Sequence, residues 1–144
     1  MMCKFFQPKV PVNLVEMSPN AVETLFKSVK LPIPMGLLDG KYWTTDAETW
    51  ATVLSKLVAS PWAYKDEIND CEDIALEAML QCSRDYGLNT MGMAIGKSPY
   101  GYHAFNIYIV GGTDLWLFEP QFLGSQQYFP LKNDMGYIPD KVLI

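Results

Sequence analysis

The sequence predicts an α+β domain, in which a helix bearing a cysteine packs on an antiparallel β-sheet and further helices precede it. Three observations predict this. Cys71, Ile74, Ala75, Ala78 and Cys82 recur at helical spacing and make one apolar stripe. Residues 102–110 are rich in aromatic and β-branched side chains, as strands are, and residues 88–95 and 115–119 read as strands on either side of them. Two further helical patterns lie upstream.

Each element has its own signal. Residues 1–20 carry Pro8, Pro11 and Pro19 and read as an extended lead-in. Ser18-Pro19-Asn20 starts a helix over 21–29, with Val22, Leu25, Phe26 and Val29 on one face, and Leu31-Pro32-Ile33-Pro34 stops it. Thr45-Asp46-Ala47-Glu48 is a capping-box pattern ahead of a second helix, which Ser60-Pro61 ends. An aromatic loop with Trp62 and Tyr64 follows, either a wall of a cleft or a plug over the core. The third helix is capped by Asn69 or Asp70 and closed by Gly87. Gly111-Gly112 makes a hairpin between two strands, and residues 122–130 add an edge strand. The tail, with Gly136 and Pro139, reads as loop. The chain divides into a helical part at 1–59, a core at 60–130 and a tail at 131–144, all in one domain.

Composition sets limits. At 144 residues and 49% hydrophobic, the chain has enough apolar surface for a core. A net charge of −5 without a basic run argues against a nucleic-acid partner. No apolar leader is visible, and no run approaches the roughly 20 residues of a membrane span, so the expectation is a cytoplasmic protein with no membrane partner. Three cysteines fit a reducing compartment rather than a disulfide framework.

The chemistry gathers around Asn69-Asp70-Cys71-Glu72-Asp73. A thiol at a helix N-terminus meets free N–H groups and the positive end of the dipole, which favour the thiolate. The competing reading is a small buried hydrophobe. Cys82 belongs to the core. His103, the one histidine, lies in an apolar strand, where the bland reading is a satisfied core side chain. Strand parity argues otherwise. Any odd-length loop between the strands, at 110–112 or 110–114, points His103 and Glu119 to the same face. Cys71, His103 and Glu119 then read as nucleophile, base and orienter. Asp66, Glu67, Asp70, Glu72 and Asp73 crowd the thiol, opposing its ionisation and suiting a hard cation such as calcium; a solvated acidic helix start is the alternative. Cys71 and Cys82 lie about 16 Å apart along a helix and cannot share an ion.

These residues carry a family resemblance. The segment from Asn69 to Ala75 resembles the Asp-Cys-Asp/Glu-Asp-x-Ala segment of bacterial transglutaminase-like cysteine proteinases. Gly101-Tyr102-His103-Ala104-Phe105-Asn106 resembles their His-Ala strand, and Trp116-Leu117-Phe118-Glu119-Pro120-Gln121 resembles the Trp-x-x-x-Asp-Pro-Thr segment of transglutaminase cores, with Glu for Asp. Glu119 within Glu-Pro-Gln is closer to the papain-like C-terminal domain of mushroom agglutinins. The resemblance covers residues 60–122. It implies a papain-like or transglutaminase-like core, a catalytic Cys71, His103 and Glu119, and calcium held by Asp70, Glu72 and Asp73, with no organic cofactor. Papain has a glutamine where Lys65 stands, so the second oxyanion donor is unassigned.

The function expected is a cysteine-dependent acyl-transfer enzyme, a peptidase or amidase on protein or peptide substrates. Hydrolysis is expected over protein cross-linking, because so short a chain has little surface for a second substrate. The alternative is a catalytically silent binding or structural module on the same fold.

Overall fold

A computed structural model describes residues 8–57, 65–121 and 127–144. The expectations for Trp62, Tyr64 and the Ser60-Pro61 helix stop lie outside the described residues.

Two sheets and three helices make up the described chain. Strands β1 (Val15–Met17) and β2 (Tyr42–Thr44) pair with each other. Strands β3 (Met91–Ser98), β4 (Gly101–Val110), β5 (Asp114–Phe118), β6 (Tyr128–Pro130) and β7 (Ile138–Leu143) form an antiparallel sheet in the order β6-β5-β4-β3-β7. The helices are α1 (Pro19–Ser28), α2 (Ala47–Lys56) and α3 (Cys71–Tyr86).

Local chemistry starts and stops the helices. Ser18 Oγ accepts the Ala21 N–H at 3.1 Å, and Pro19 occupies the first turn of α1, where its missing N–H costs nothing. The cap of α2 is Asp46, which accepts the Thr49 N–H at 2.8 Å, one residue later than the capping-box pattern placed it. Thr45 is engaged elsewhere. Its hydroxyl donates to the Asn13 carbonyl at 2.8 Å, and its backbone bridges to Val110. Gly87 closes α3 at φ 72°, a conformation glycine adopts without strain, and the next N–H, of Leu88, reaches back to the Cys82 carbonyl.

Strand alternation divides the large sheet into two faces. Phe105, Ile107 and Ile109 pack with Leu115, Leu117 and Val142 against Val22 and Phe26 of α1. Tyr108, Val110 and Phe118 pack with Ala78, Cys82 and Tyr86 of α3 and with Trp50, Val53 and Leu54 of α2. Each such large apolar side chain contributes about 1.5–3 kcal/mol by leaving water. Asn106 joins α3 to the sheet. Its buried Nδ2 donates to the carbonyls of Ala75 in α3 and Gly92 in β3, at 2.8 and 3.0 Å.

The expected papain-like or transglutaminase-like α+β core is corrected here. The architecture is sheet-based, with seven strands in two sheets and few helices. The part read as helical, 1–59, contributes two strands, and the tail read as loop contributes β7. The cause lies in β7 itself. Pro139, Asp140 and Lys141 give it a loop-like composition, which is tolerated because β7 is an edge strand and its register shifts opposite Ile95 and Gly96.

Glycines in β3 admit this edge strand. A β-carbon on Gly96 would collide with the Ile138 carbonyl and lie 2.7 Å from the Pro139 Cα; one on Gly92 would collide with the Leu143 carbonyl. These are backbone atoms and cannot rotate away. Gly96→Ala is therefore expected to cost about 1–3 kcal/mol or more, read as a lowered thermal midpoint. Gly40→Ala, with open space around it, serves as the control and should leave the midpoint nearly unchanged.

Candidate functional site

Cys71 is the first residue of α3 and is partly buried. Its thiol donates to Glu72 Oε2 at 3.5 Å. The backbone N–H of Ala104, next to His103, also points at the sulfur. Burial pushes the Cys71 thiol above its usual range. The Ala104 N–H opposes this, while the Glu72 hydrogen bond and the charges of Glu72 and Asp70 push it further up. The helix terminus was expected to favour the thiolate; desolvation and carboxylates outweigh it. Cys82 is fully buried, 3.5 Å from Met91 Sδ, and burial pushes its thiol far up, as expected of a core residue.

The strand hairpin carries His103 and Glu119. Val110 pairs with Asp114, so the loop is 111–113 and its length is odd. Gly111 and Gly112 adopt φ of 61° and 82°, which only glycine takes up freely. Odd parity leaves His103 and Glu119 on one face, and the Asn106–Phe118 pair makes them diagonal neighbours. His103 Nε2 donates to Glu119 Oε2 at 2.9 Å. The same oxygen accepts the Tyr137 hydroxyl at 3.1 Å, and Oε1 accepts the Gln121 backbone N–H at 3.1 Å. Glu119 is 2% exposed, so an acceptor surrounded by three donors is what its burial requires. Burial holds the Tyr137 hydroxyl protonated well above its usual range, and the charge of Glu119 adds to this.

The trio predicted from sequence is thus brought into one neighbourhood, but not into one hydrogen-bonded chain. Among the described residues no hydrogen bond joins the Cys71 sulfur to the His103 ring. The thiol faces Glu72, and the imidazole faces Glu119. Sequence reasoning missed Tyr137, the third donor on Glu119, because it lies in a stretch without strand signal. It also missed the role of Asn106, which parity alone placed on the opposite face from His103.

Of the three residues expected to hold calcium, two converge. Ligand atoms of Asp70, Cys71 and Glu72 lie within 4.8 Å of one another. Asp73 is committed elsewhere: its Oδ2 accepts the Asp70 N–H at 3.3 Å and caps α3. Asp70 Oδ2 accepts the Glu67 N–H at 3.2 Å, while its Oδ1 is buried without a hydrogen-bond partner.

No family model and no curated protein matches the chain. Solved structures do match it. A complex of PSL1a with E64 superposes with a TM-score of 0.67 over 90% of this chain at 19% identity. The Polyporus squamosus lectin, bound to a human-type influenza-binding epitope, superposes with a TM-score of 0.57 over 85% at 18% identity. This chain spans 51% and 48% of those two chains, about half of each. At these identities the likeness shows the fold.

These findings correct the family expectation. One neighbour carries the name of a lectin, and neither carries that of a transglutaminase-like or papain-like cysteine proteinase; the hydrolase reading of the chain is withdrawn with it. At the site, the Glu119 carboxylate accepts from Tyr137 and Gln121 as well as facing His103, and burial with the neighbouring carboxylates pushes the Cys71 thiol above its usual range.

The charge beside the thiol has a measurable consequence. In the folded protein Cys71 is expected to alkylate more slowly at pH 7 than a free thiol, and its rate should rise with pH past the ordinary cysteine range. Glu72→Gln removes the negative charge beside the thiol, so it should lower the thiol pKa and speed labelling at pH 7. Iodoacetamide labelling followed by mass spectrometry across pH 6–10 checks both the direction and the effect of the substitution.

Proposed function

We propose that this chain is a non-catalytic binding module with glycan as its ligand class. The observation that carries the reading is the likeness, over 90% of the chain, to the structure of PSL1a. The glycan class comes from the related lectin, whose structure holds the epitope Neu5Acα2-6Galβ1-4GlcNAc. The state of the trio supports a module without turnover: a thiol kept protonated and hydrogen-bonded to a carboxylate is a poor nucleophile. Cys71, His103 and Glu119 are assigned to the scaffold, where Glu119 ties together β4, the end of β5 and the segment before β7. Protein and peptide substrates are replaced by glycan as the partner.

Calcium belongs to the same reading. The unpartnered Oδ1 of Asp70, beside Glu72, fits a hard cation, with Asp73 acting through the helix cap. A bound ion would supply the positive charge that this acidic helix start lacks.

Two measurements test these assignments. Titration calorimetry against sialylated and neutral lactosamine glycans should give saturable binding with no change in the glycan; absence of binding to any of them overturns the glycan class. Millimolar calcium should raise the thermal midpoint, by up to about 2.7 kcal/mol of stabilisation at a hundredfold excess over the dissociation constant. Glu72→Ala should abolish that rise. An unmodified protein indifferent to calcium, or a Glu72→Ala variant that responds as fully, rejects the site.

A further inference from the structure

We infer that the cleft between the end of α1 and the 131–139 segment is the ligand site, and that it takes the carboxylate of an acidic saccharide between Lys30 and Lys132. The inference rests on the glycan reading above and gives it a place. The cleft has a volume of about 520 Å³, within the range of small-ligand sites. Its walls are largely apolar, with Val29, Leu131 and Pro139 offered to the C–H face of a sugar ring and the Ser28 hydroxyl to its polar edge.

Charge decides what enters. The chain carries a net charge of −5, yet this cleft has two lysines in its lining and no carboxylate. Among the described residues neither Lys30 nor Lys132 forms an ion pair, a state they share with Lys56, Lys65, Lys97 and Lys141, and both line this one cleft. An anion in this cleft meets a lining with two lysines and no carboxylate to repel it.

The cleft is also built to stay open. Asn133, next to Lys132, organises the whole segment. Its Nδ2 donates to the Leu131 and Tyr137 carbonyls at 3.0 and 3.2 Å, and its Oδ1 accepts the Met135 N–H at 3.0 Å. Tyr137, also in the lining, is anchored below by Glu119. On the other wall Lys30 holds a left-handed backbone at φ 57°, with its N–H bonded to the Lys27 carbonyl. Groups fixed before binding lose little freedom on binding, which favours affinity.

The test uses the chain itself, the lectin's sialylated trisaccharide and the same glycan without its sialic acid. The sialylated glycan should bind more tightly. Lys132→Gln and Lys30→Gln should each weaken it about tenfold, and the neutral glycan should be little affected by either. Rising salt should weaken the sialylated glycan selectively. Thermal midpoints close to that of the unmodified chain establish that both variants fold, since neither lysine makes an ion pair among the described residues. Sialylated binding that ignores both substitutions, or no preference for the carboxylate, overturns the cleft assignment while the glycan reading stands. No binding of either glycan overturns both.

Discussion

A carboxylate that is 2% exposed cannot remain in a protein interior without donors around it, and the arrangement of Glu119 follows from that constraint. Its three donors come from three places in the chain: His103 in β4, Gln121 just past β5, and Tyr137 ahead of β7. Losing one of them would strand a buried acceptor at about 1–3 kcal/mol. The network therefore fastens the segment before the edge strand to the middle of the sheet. It also rigidifies Tyr137, which packs edge-on against Phe105 with ring centroids 5.2 Å apart. A carboxylate accepts only, so the ring nitrogen facing it carries the proton.

Much of the site's geometry could be read from the sequence, because it depends on parity and caps. The two glycines of the β4–β5 turn marked a hairpin; an odd loop was a supposition that the Val110–Asp114 pair bears out, and period-2 alternation then brings His103 and Glu119 together. The stripe from Cys71 to Cys82 and the glycine after Tyr86 located α3. What the sequence hid is tertiary. β7 is half polar and contains Pro139, and its place beside β3 depends on Gly92 and Gly96 having no side chains. Tyr137 carries no local signal of its partnership with Glu119. Thr45 looked like a helix cap but is claimed by the Asn13 carbonyl, which leaves the cap to Asp46. For the thiol the sequence offered opposing effects, a helix terminus that favours the thiolate and carboxylates that oppose it; burial, which the sequence does not show, adds to the carboxylates and tips the balance upward.

Cys71, His103 and Glu119 follow one another on α3, on β4 and just past β5, in a sheet that carries helices on both faces. Their contacts show a thiol turned to Glu72 and an imidazole turned to Glu119. The solved neighbours share the fold over nearly the whole of this chain but are about twice its length.

The most direct measurement is intact-mass spectrometry of the folded chain after incubation with E64, the compound that accompanies PSL1a in its solved complex, at neutral pH with and without calcium. A protonated thiol in a non-catalytic module predicts an unchanged mass under both conditions. A stoichiometric adduct mapped to Cys71 and lost in His103→Ala would contradict the account, because it would show the thiol activated by the imidazole.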